Sequence, residues 1–308
     1  MTMPGAVPSR GRGGNTSRVP ALTALMVVVA VVLGVGLSSA LTEETESSSI
    51  PEMGFGAAVY ASAEAGGYSE GEMRALMEPL PANAAQVTVP VLMYHYVDDE
   101  PPPAGPYADG LTVRTPDFVE ELEYLAENGY QAVRLSDVYL AMAGLKELPA
   151  KSVALTFDDG GLDNYTVAFP LLKQYGFTAT FFVITKTVGR DGQMSWEQLQ
   201  EMVAAGMSVQ SHSVSHPDLR GVSDEKLRSE LVDSRQAITE AVGEPGYAFC
   251  YPSGACDERV VEAVRSAGYV MAVVTDKGEV LNPGAIFEIR RGRVQAHMSL
   301  GSFAKLVD

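Results

Sequence analysis

The 308-residue chain has only two cysteines, Cys250 and Cys256, and no Cys-x-x-Cys grouping, which excludes a disulfide-dense scaffold and any cysteine-built metal site. Basic residues are also scarce, 22 Lys and Arg against 39 Asp and Glu, for a formal net charge of −17. That balance lacks the basic footprint that phosphate binding requires, so nucleic acid is excluded as a partner. No GxGxxG fingerprint and no internal repeat is present, which removes a dinucleotide-binding fold and a solenoid. Histidine is rare too, four in all, yet two of them, His212 and His216, fall four residues apart.

Hydrophobic residues make up 46% of the chain, ample for a large core. Their first concentration lies at the N-terminus. Residues 1–20 carry Arg10, Arg12 and Arg18 and no acid, and Ala21 to Leu41 runs without a charge. At ~1.5 Å per residue that run can cross a ~30 Å hydrocarbon layer. The basic flank before it and Glu43, Glu44 and Glu46 after it predict a cytoplasmic N-terminus and an exported remainder. Two outcomes stay open: a single-pass membrane anchor, or a signal segment cleaved near Ser38-Ser39-Ala40 to release a secreted protein. Residues 42–86, rich in Glu, Ser, Ala and Gly, read as a flexible acidic stalk, with a short helix at Glu70 to Met77. In an exported chain Cys250 and Cys256 form either a small disulfide loop or two free thiols.

From Val87 to Asp308 apolar runs alternate with amphipathic segments about every 30 residues. Predicted strands cover 90–97, 131–135, 152–157, 178–184, 207–211, 248–251 and 270–275. Predicted helices cover 136–144, 164–175, 196–205, 224–242 and 258–267, with another that starts at Thr115-Pro116 and ends at Gly129. This alternation predicts an α/β fold of βα units around a parallel sheet. A barrel is preferred over a doubly wound open sheet because Asp158-Asp159, His212 and Ser253-Gly254 all follow strands, whose C-terminal ends converge on one face of a barrel.

Two adjacent carboxylates between a buried strand and Gly160-Gly161 need a cation to offset them. Two imidazoles and one carboxylate can hold a divalent metal and leave a position open, so Asp159, His212 and His216 are the candidate ligands. Ser211, Ser213 and Ser215 supply hydrogen bonds to orient the rings. Asp158, whose side chain must point elsewhere than its neighbour's, is left as a general base toward an attacking water. Asp163 is either the cap of the helix that follows, which is preferred, or a residue that supports the site from behind its ligands. Zinc suits the ligand set, as do cobalt and nickel.

Thr156-Phe157-Asp158-Asp159-Gly160 and His212-Ser213-Val214-Ser215-His216-Pro217 resemble the first two motifs of polysaccharide deacetylases, the NodB-homology group within carbohydrate esterase family 4. The likeness runs from Val87 to Asp308 and includes Val91-Leu92-Met93-Tyr94-His95-Tyr96 and Tyr251-Pro252-Ser253-Gly254. It implies a distorted (β/α) barrel that removes acetyl groups from N-acetylglucosamine-containing polymers, with Asp158 as base and Asp159, His212 and His216 around zinc. It further implies an oxyanion site near Ser253, with Tyr251 beside it. Two features depart from the family pattern. Cys250 stands where an arginine often orients the base, which makes Arg291 the expected substitute. The late Leu-x-His that supplies the acid is missing: His297 sits in a polar setting and reads as a surface residue, and His95 is the expected acid, as in the biofilm-polysaccharide branch. Gly161 stands where an aromatic side chain is common, which predicts a more open groove. The expected partners are an acetylated amino-sugar polymer and, through the N-terminal segment, a membrane; no protein partner is identifiable.

Overall fold

The structure, a computed structural model, describes residues 67–100, 108–276, 278 and 280–308. The basic tail, the apolar segment 21–41 and the stalk up to residue 66 lie outside the described residues. No helix among the described residues is long and apolar enough to cross a membrane.

Eight parallel strands form the central sheet: β1 (Val91–Tyr94), β2 (Gln131–Ala132), β3 (Ser152–Phe157), β4 (Thr180–Val183), β5 (Ser208–Ser211), β6 (Ala248–Cys250), β7 (Met271–Val273) and β8 (Gly292–Arg293). Their spatial order is β7-β6-β5-β4-β3-β1-β8, with β2 paired to the start of β3. Every residue of β1, β3, β4, β5, β6 and β7 is buried, which explains why most of these strands read as apolar runs rather than alternating ones; β5 differs, its Ser208, Gln210 and Ser211 being buried with hydrogen-bond partners. Around it lie the helices α1 (Glu70–Ala75), α2 (Thr115–Glu127), α3 (Leu135–Met142), α4 (Phe169–Tyr175), α5 (Trp196–Ala204), α6 (Asp224–Val242), α7 (Glu258–Ser266) and α8 (Leu300–Val307), together with shorter helical turns and two two-stranded ladders.

Sequence signals set the helix ends. In α5 the Ser195–Gln198 capping box forms as expected. In α2 Pro116 occupies the first turn, but the cap falls on Arg114, one residue before Thr115. Gly176 and Gly243 end α4 and α6 in the left-handed conformation, at φ 69° and 76°.

The sheet is a curled half-barrel rather than a regular barrel. One irregular stave, residues 286–294, which contains β8, links β1 on one side to β7 at the other end of the sheet. On one side Val274 N–H donates to Ile289 O (2.8 Å) and Ile289 N–H to Ala272 O (2.9 Å). On the other side Gly292 pairs with Leu92, and Val294 N–H donates to Met93 O (3.0 Å). Exposed Glu288 and Arg290 alternate with buried Ile289 and Arg291 along this stave, so it behaves locally as a strand with one face turned inward.

The stalk boundary moves. Residues 68–86 belong to the domain, because Tyr68, Met73 and Leu76 are core residues with 5% exposure or less. The helix predicted there forms as α1, with a Ser69–Glu72 capping box. Three apolar residues over nine positions are too few to show an amphipathic period, which is why the stretch reads as solvated in sequence. Tyr68 seats at the base of the sheet, its hydroxyl on Ser136 and its ring 4.3 Å from the Arg134 guanidinium carbon.

Candidate active site

Strand parity builds the site. Along β3, Val153, Leu155 and Phe157 face the helices, so Thr156 and then Asp158 face the barrel interior. The same count along β1 sends Tyr94 outward to Glu121 of α2, with the Tyr94 hydroxyl donating at 3.0 Å, and turns His95 inward. On β5, Ser211 faces α6, where its hydroxyl donates to Ser234 Oγ at 2.8 Å, and His212 turns inward. Three strand ends therefore deliver Asp158, His95 and His212 to one mouth.

Asp158 is held by Arg291, which reaches it from the bridging stave. The guanidinium donates from Nη1 to Oδ1 (2.7 Å) and from Nη2 to Oδ2 (2.8 Å), a bidentate pair in which both side chains are almost fully buried. Arg291 is itself fixed by Val274 O (3.0 Å from Nε) and Thr156 Oγ1 (3.0 Å from Nη1). Burial alone would raise the Asp158 carboxyl; the Arg291 charge and hydrogen bonds outweigh it and hold the group well below the usual carboxylate range. Cys250 lies against the same guanidinium, 3.2 Å from Nη2. A small residue at 250 leaves room for an arginine arriving from another strand, so the substitution of Arg291 expected from sequence is what the geometry contains.

Asp159, His212 and His216 converge, with one potential ligand atom from each within 4.8 Å of the others. His212 Nε2 lies 3.5 Å and His216 Nε2 3.9 Å from Asp159 Oδ1. Tetrahedral zinc with bonds of ~2.1 Å separates its ligands by roughly 3.4 Å, so the donor set fits a divalent cation with only small adjustments. Cys250 O accepts from His212 Nδ1 at 2.8 Å, which places the ring proton on Nδ1 and the lone pair on Nε2, toward Asp159. Burial and the neighbouring His212 lower the His216 pKa and keep that ring neutral, the form a ligand needs.

The loops that present these groups are held in unusual backbone conformations. Of the five described non-glycine residues at positive φ, four lie here: Asp159 (73°), Ser213 (65°), His216 (57°) and Ser253 (56°). Such residues persist only where neighbours fix them. Around His216 the fixing groups are Ser213 Oγ, which accepts from His216 N–H at 2.9 Å, and Glu230, whose carboxylate takes both the N–H (2.7 Å) and the hydroxyl of Ser215. Lys226 Nζ neutralises Glu230 at 2.6 Å. Glu230 was not apparent as a site residue in sequence. Its signal is an acid inside the buried stripe Leu227, Glu230, Leu231, Ser234 of α6, at helical spacing.

His95 occupies the mouth as expected. Burial lowers its pKa, and the charges of Asp158 and Asp159 offset only part of that fall. Its Nδ1 is buried without a hydrogen-bond partner, while its carbonyl accepts from Asn164 Nδ2 at 2.8 Å. Asp163 makes no cap hydrogen bond. Its Oδ2 instead accepts from Val97 N–H (2.7 Å) and Asn164 Nδ2 (2.8 Å), because the chain after β1 passes directly over this helix start. Asp163 and Asn164 thus clamp the segment carrying His95. Nor is the groove opened at Gly161: a Cβ there would meet Asp163 Oδ1 at 2.4 Å and the Tyr96 ring at 3.2 Å. Tyr96 fills that space, and its hydroxyl donates to Asp159 Oδ2 at 3.2 Å.

Ser253 is exposed on the loop after β6, whereas the Tyr251 side chain is fully buried against Phe249, ring centroids 5.4 Å apart, and its hydroxyl has no hydrogen-bond partner. The Tyr251 side chain therefore does not line the mouth. Both cysteines are free thiols: Cys250 is turned inward toward Asp158, with Cys256 on the loop beyond. His297 is exposed, in keeping with a surface role.

The curled parallel sheet thus sets a buried aspartate–arginine pair beside an Asp-His-His cluster that could hold a divalent cation. Comparison with known proteins gives the class. The polysaccharide deacetylase family model matches residues 145–272. The chain is similar to YxkH of Bacillus subtilis, a polysaccharide deacetylase homologue, with 31% identity over 220 residues covering 71% of this chain and 76% of that protein. It is also similar to the poly-β-1,6-N-acetyl-D-glucosamine N-deacetylase of Escherichia coli K12, with 24% identity covering 70% of this chain and 38% of that one. Among solved structures, the Streptococcus pyogenes deacetylase PplD in complex with acetate superposes with a TM-score of 0.66 at 29% identity, covering 73% of this chain and all of that one. The chain belongs to the polysaccharide deacetylase family, carbohydrate esterase family 4, and is a polysaccharide N-deacetylase acting on carbon–nitrogen bonds.

Proposed function

We propose that this enzyme removes N-acetyl groups from an N-acetylglucosamine-containing polymer outside the cytoplasm, using a divalent cation held by Asp159, His212 and His216. The observation that carries the reading is the buried Asp158–Arg291 pair next to the three convergent ligands. A carboxylate held so far down is ionised at every working pH but is a weak base, so it takes a proton only from a water that has been made acidic. A divalent cation held by Asp159, His212 and His216 would supply that acidity and would polarise the acetamide carbonyl. Cobalt and nickel suit the same ligands as zinc.

In this reading water adds to the acetyl carbonyl carbon and gives its proton to Asp158, which Arg291 keeps aimed. A backbone N–H of the Ser253 loop stabilises the oxyanion. His95 delivers a proton to the amide nitrogen as the C–N bond breaks, leaving acetate and a free amine. The polymer class is supported by what the E. coli relative is named for acting on. The apolar run 21–41 behind a basic tail supports anchorage in, or export across, the cell membrane.

Acetate release by the full chain from poly-β-1,6-N-acetylglucosamine, chitin oligomers and peptidoglycan, with and without chelator, tests the reading. Release from at least one polymer, abolished by chelator, is expected. No release from any of them by metal-replete protein refutes it. His95→Ala should lower kcat by about 10²–10⁴ with little change in KM; near-wild-type turnover would exclude His95 as the acid.

A further inference from the structure

The two carboxylate oxygens of Asp159 have different surroundings. Oδ1 lies 3.5 Å from His212 Nε2 and 3.9 Å from His216 Nε2, whereas Oδ2 accepts from the Tyr96 hydroxyl at 3.2 Å. Among the described residues, Tyr96 is the one hydrogen-bond donor to this carboxylate apart from the two histidines. A carboxylate ligand can offer a cation one oxygen or both, and a phenol, which donates at neutral pH, engages the oxygen it bonds.

Tyr96 is held in place from several directions. Its chain neighbours are pinned on both sides: His95 O accepts from Asn164 Nδ2 (2.8 Å), and Val97 N–H donates to Asp163 Oδ2 (2.7 Å). Tyr96 itself pairs with Thr112 in a short parallel ladder. Its ring lies against Gly161, where an added Cβ would come within 3.2 Å of Cδ1 and 3.3 Å of Cε1. Gly161 is not in the left-handed region, so close approach, by this ring and by Asp163 Oδ1, is what its missing side chain permits. Asp159 in turn sits at φ 73°, a conformation that its neighbours must fix. Met194 N–H steadies the adjoining main chain by donating to Gly160 O at 3.1 Å, and Tyr96 steadies the side chain.

We propose that Tyr96 is a positioning residue for the cation site: its hydroxyl engages Asp159 Oδ2, so that Oδ1 alone is presented beside His212 and His216. The inference rests on the reading of Asp159, His212 and His216 as cation ligands. Its consequence is that a phenol from the β1 end of the sheet, rather than any group on the Asp159 loop, sets how tightly the cation is held. Loss of a group that orients a ligand typically weakens metal binding about 10–100-fold. At 3.2 Å this is a long O–H···O bond, so the lower figure applies.

The test is titration of the metal-stripped full chain with zinc in competition with a chromophoric chelator. Tyr96→Phe keeps the ring against Gly161 and removes only the hydroxyl. It should weaken zinc binding about tenfold, while the metal-free variant unfolds within about 4 °C of the metal-free wild type. With cobalt in place of zinc, the visible absorption of the variant should differ from that of wild type, because Oδ2 is released to join the ligand set. A side chain that only fills space would leave that spectrum alone. Equal zinc affinity, or an unchanged cobalt spectrum, overturns the inference. So does an equal loss of stability with and without zinc, which would make Tyr96 a packing residue. Failure of the wild type to bind zinc would instead refute the cation reading itself, and this inference with it.

Discussion

Replacing Arg291 with methionine keeps most of the side-chain volume and removes two charge-assisted hydrogen bonds to Asp158, of 2.7 and 2.8 Å. Because both side chains are buried, the variant leaves an unpaired carboxylate in the interior, which costs about 3–5 kcal/mol. For a domain of this size that is a fall in Tm of about 6–20 °C. Burial, no longer opposed, would also raise the Asp158 pKa, so the residual activity should depend on pH in the acidic range where the wild type does not. The loss in kcat/KM should be at least about 100-fold. Asp158→Asn in the same background removes the orphaned charge, and the double variant should recover at least about 2 kcal/mol of the stability lost. Thermal unfolding and acetate release on the four proteins of this cycle decide the matter. Additive stability effects together with full activity in Arg291→Met would refute the account and reduce Arg291 to a filler of the bridging stave.

Chelation of the full chain should abolish acetate release and lower stability by up to about 4 kcal/mol, the contribution of a ligand present at 1,000 times its Kd; zinc, cobalt or nickel should restore both. Glu230→Gln should weaken metal binding about 10–100-fold through the loosened Ser215 turn, with much of the activity recovered at high metal concentration. Glu121 is buried beneath Tyr94, and burial raises its pKa to about 8. The folded state therefore holds this proton between about pH 4.5 and 8 while the unfolded chain has lost it. The stabilisation is full below that window and disappears as pH rises through 8. Glu121→Gln should flatten this dependence by a few kcal/mol, read as the difference in unfolding free energy between pH 5 and pH 8.5; an unchanged slope would show that Glu121 is not the titrating group.

The site was legible in sequence where chemistry is local. Asp158, Asp159, His212 and His216 stand out because strand ends and imidazole spacing are short-range signals, and the structure brings all four together. Arg291 was legible only through what was missing at position 250. Tyr96 and Glu230 were not, since each acts across the fold, Tyr96 into the space left at Gly161 and Glu230 from one helix onto a distant turn. Asp163 stands at the helix start, but of its two expected roles the preferred one, capping, yields to the other: Val97 N–H, 66 residues away, donates to the carboxylate instead. Among the strands, the parallel core was readable from apolar runs, while the bridging stave, with Arg291 amid polar neighbours, gave no such pattern.

Tyr68 enters the fold at the base of the sheet, whereas the histidines and aspartates open at the opposite, C-terminal strand ends. The point at which residue 68 joins the core therefore lies at the other end of the strands from the loops in strained conformation around Asp159, His216 and Ser253. Anything attached to the described domain on its N-terminal side thus leaves the face that must receive a polymer unobstructed.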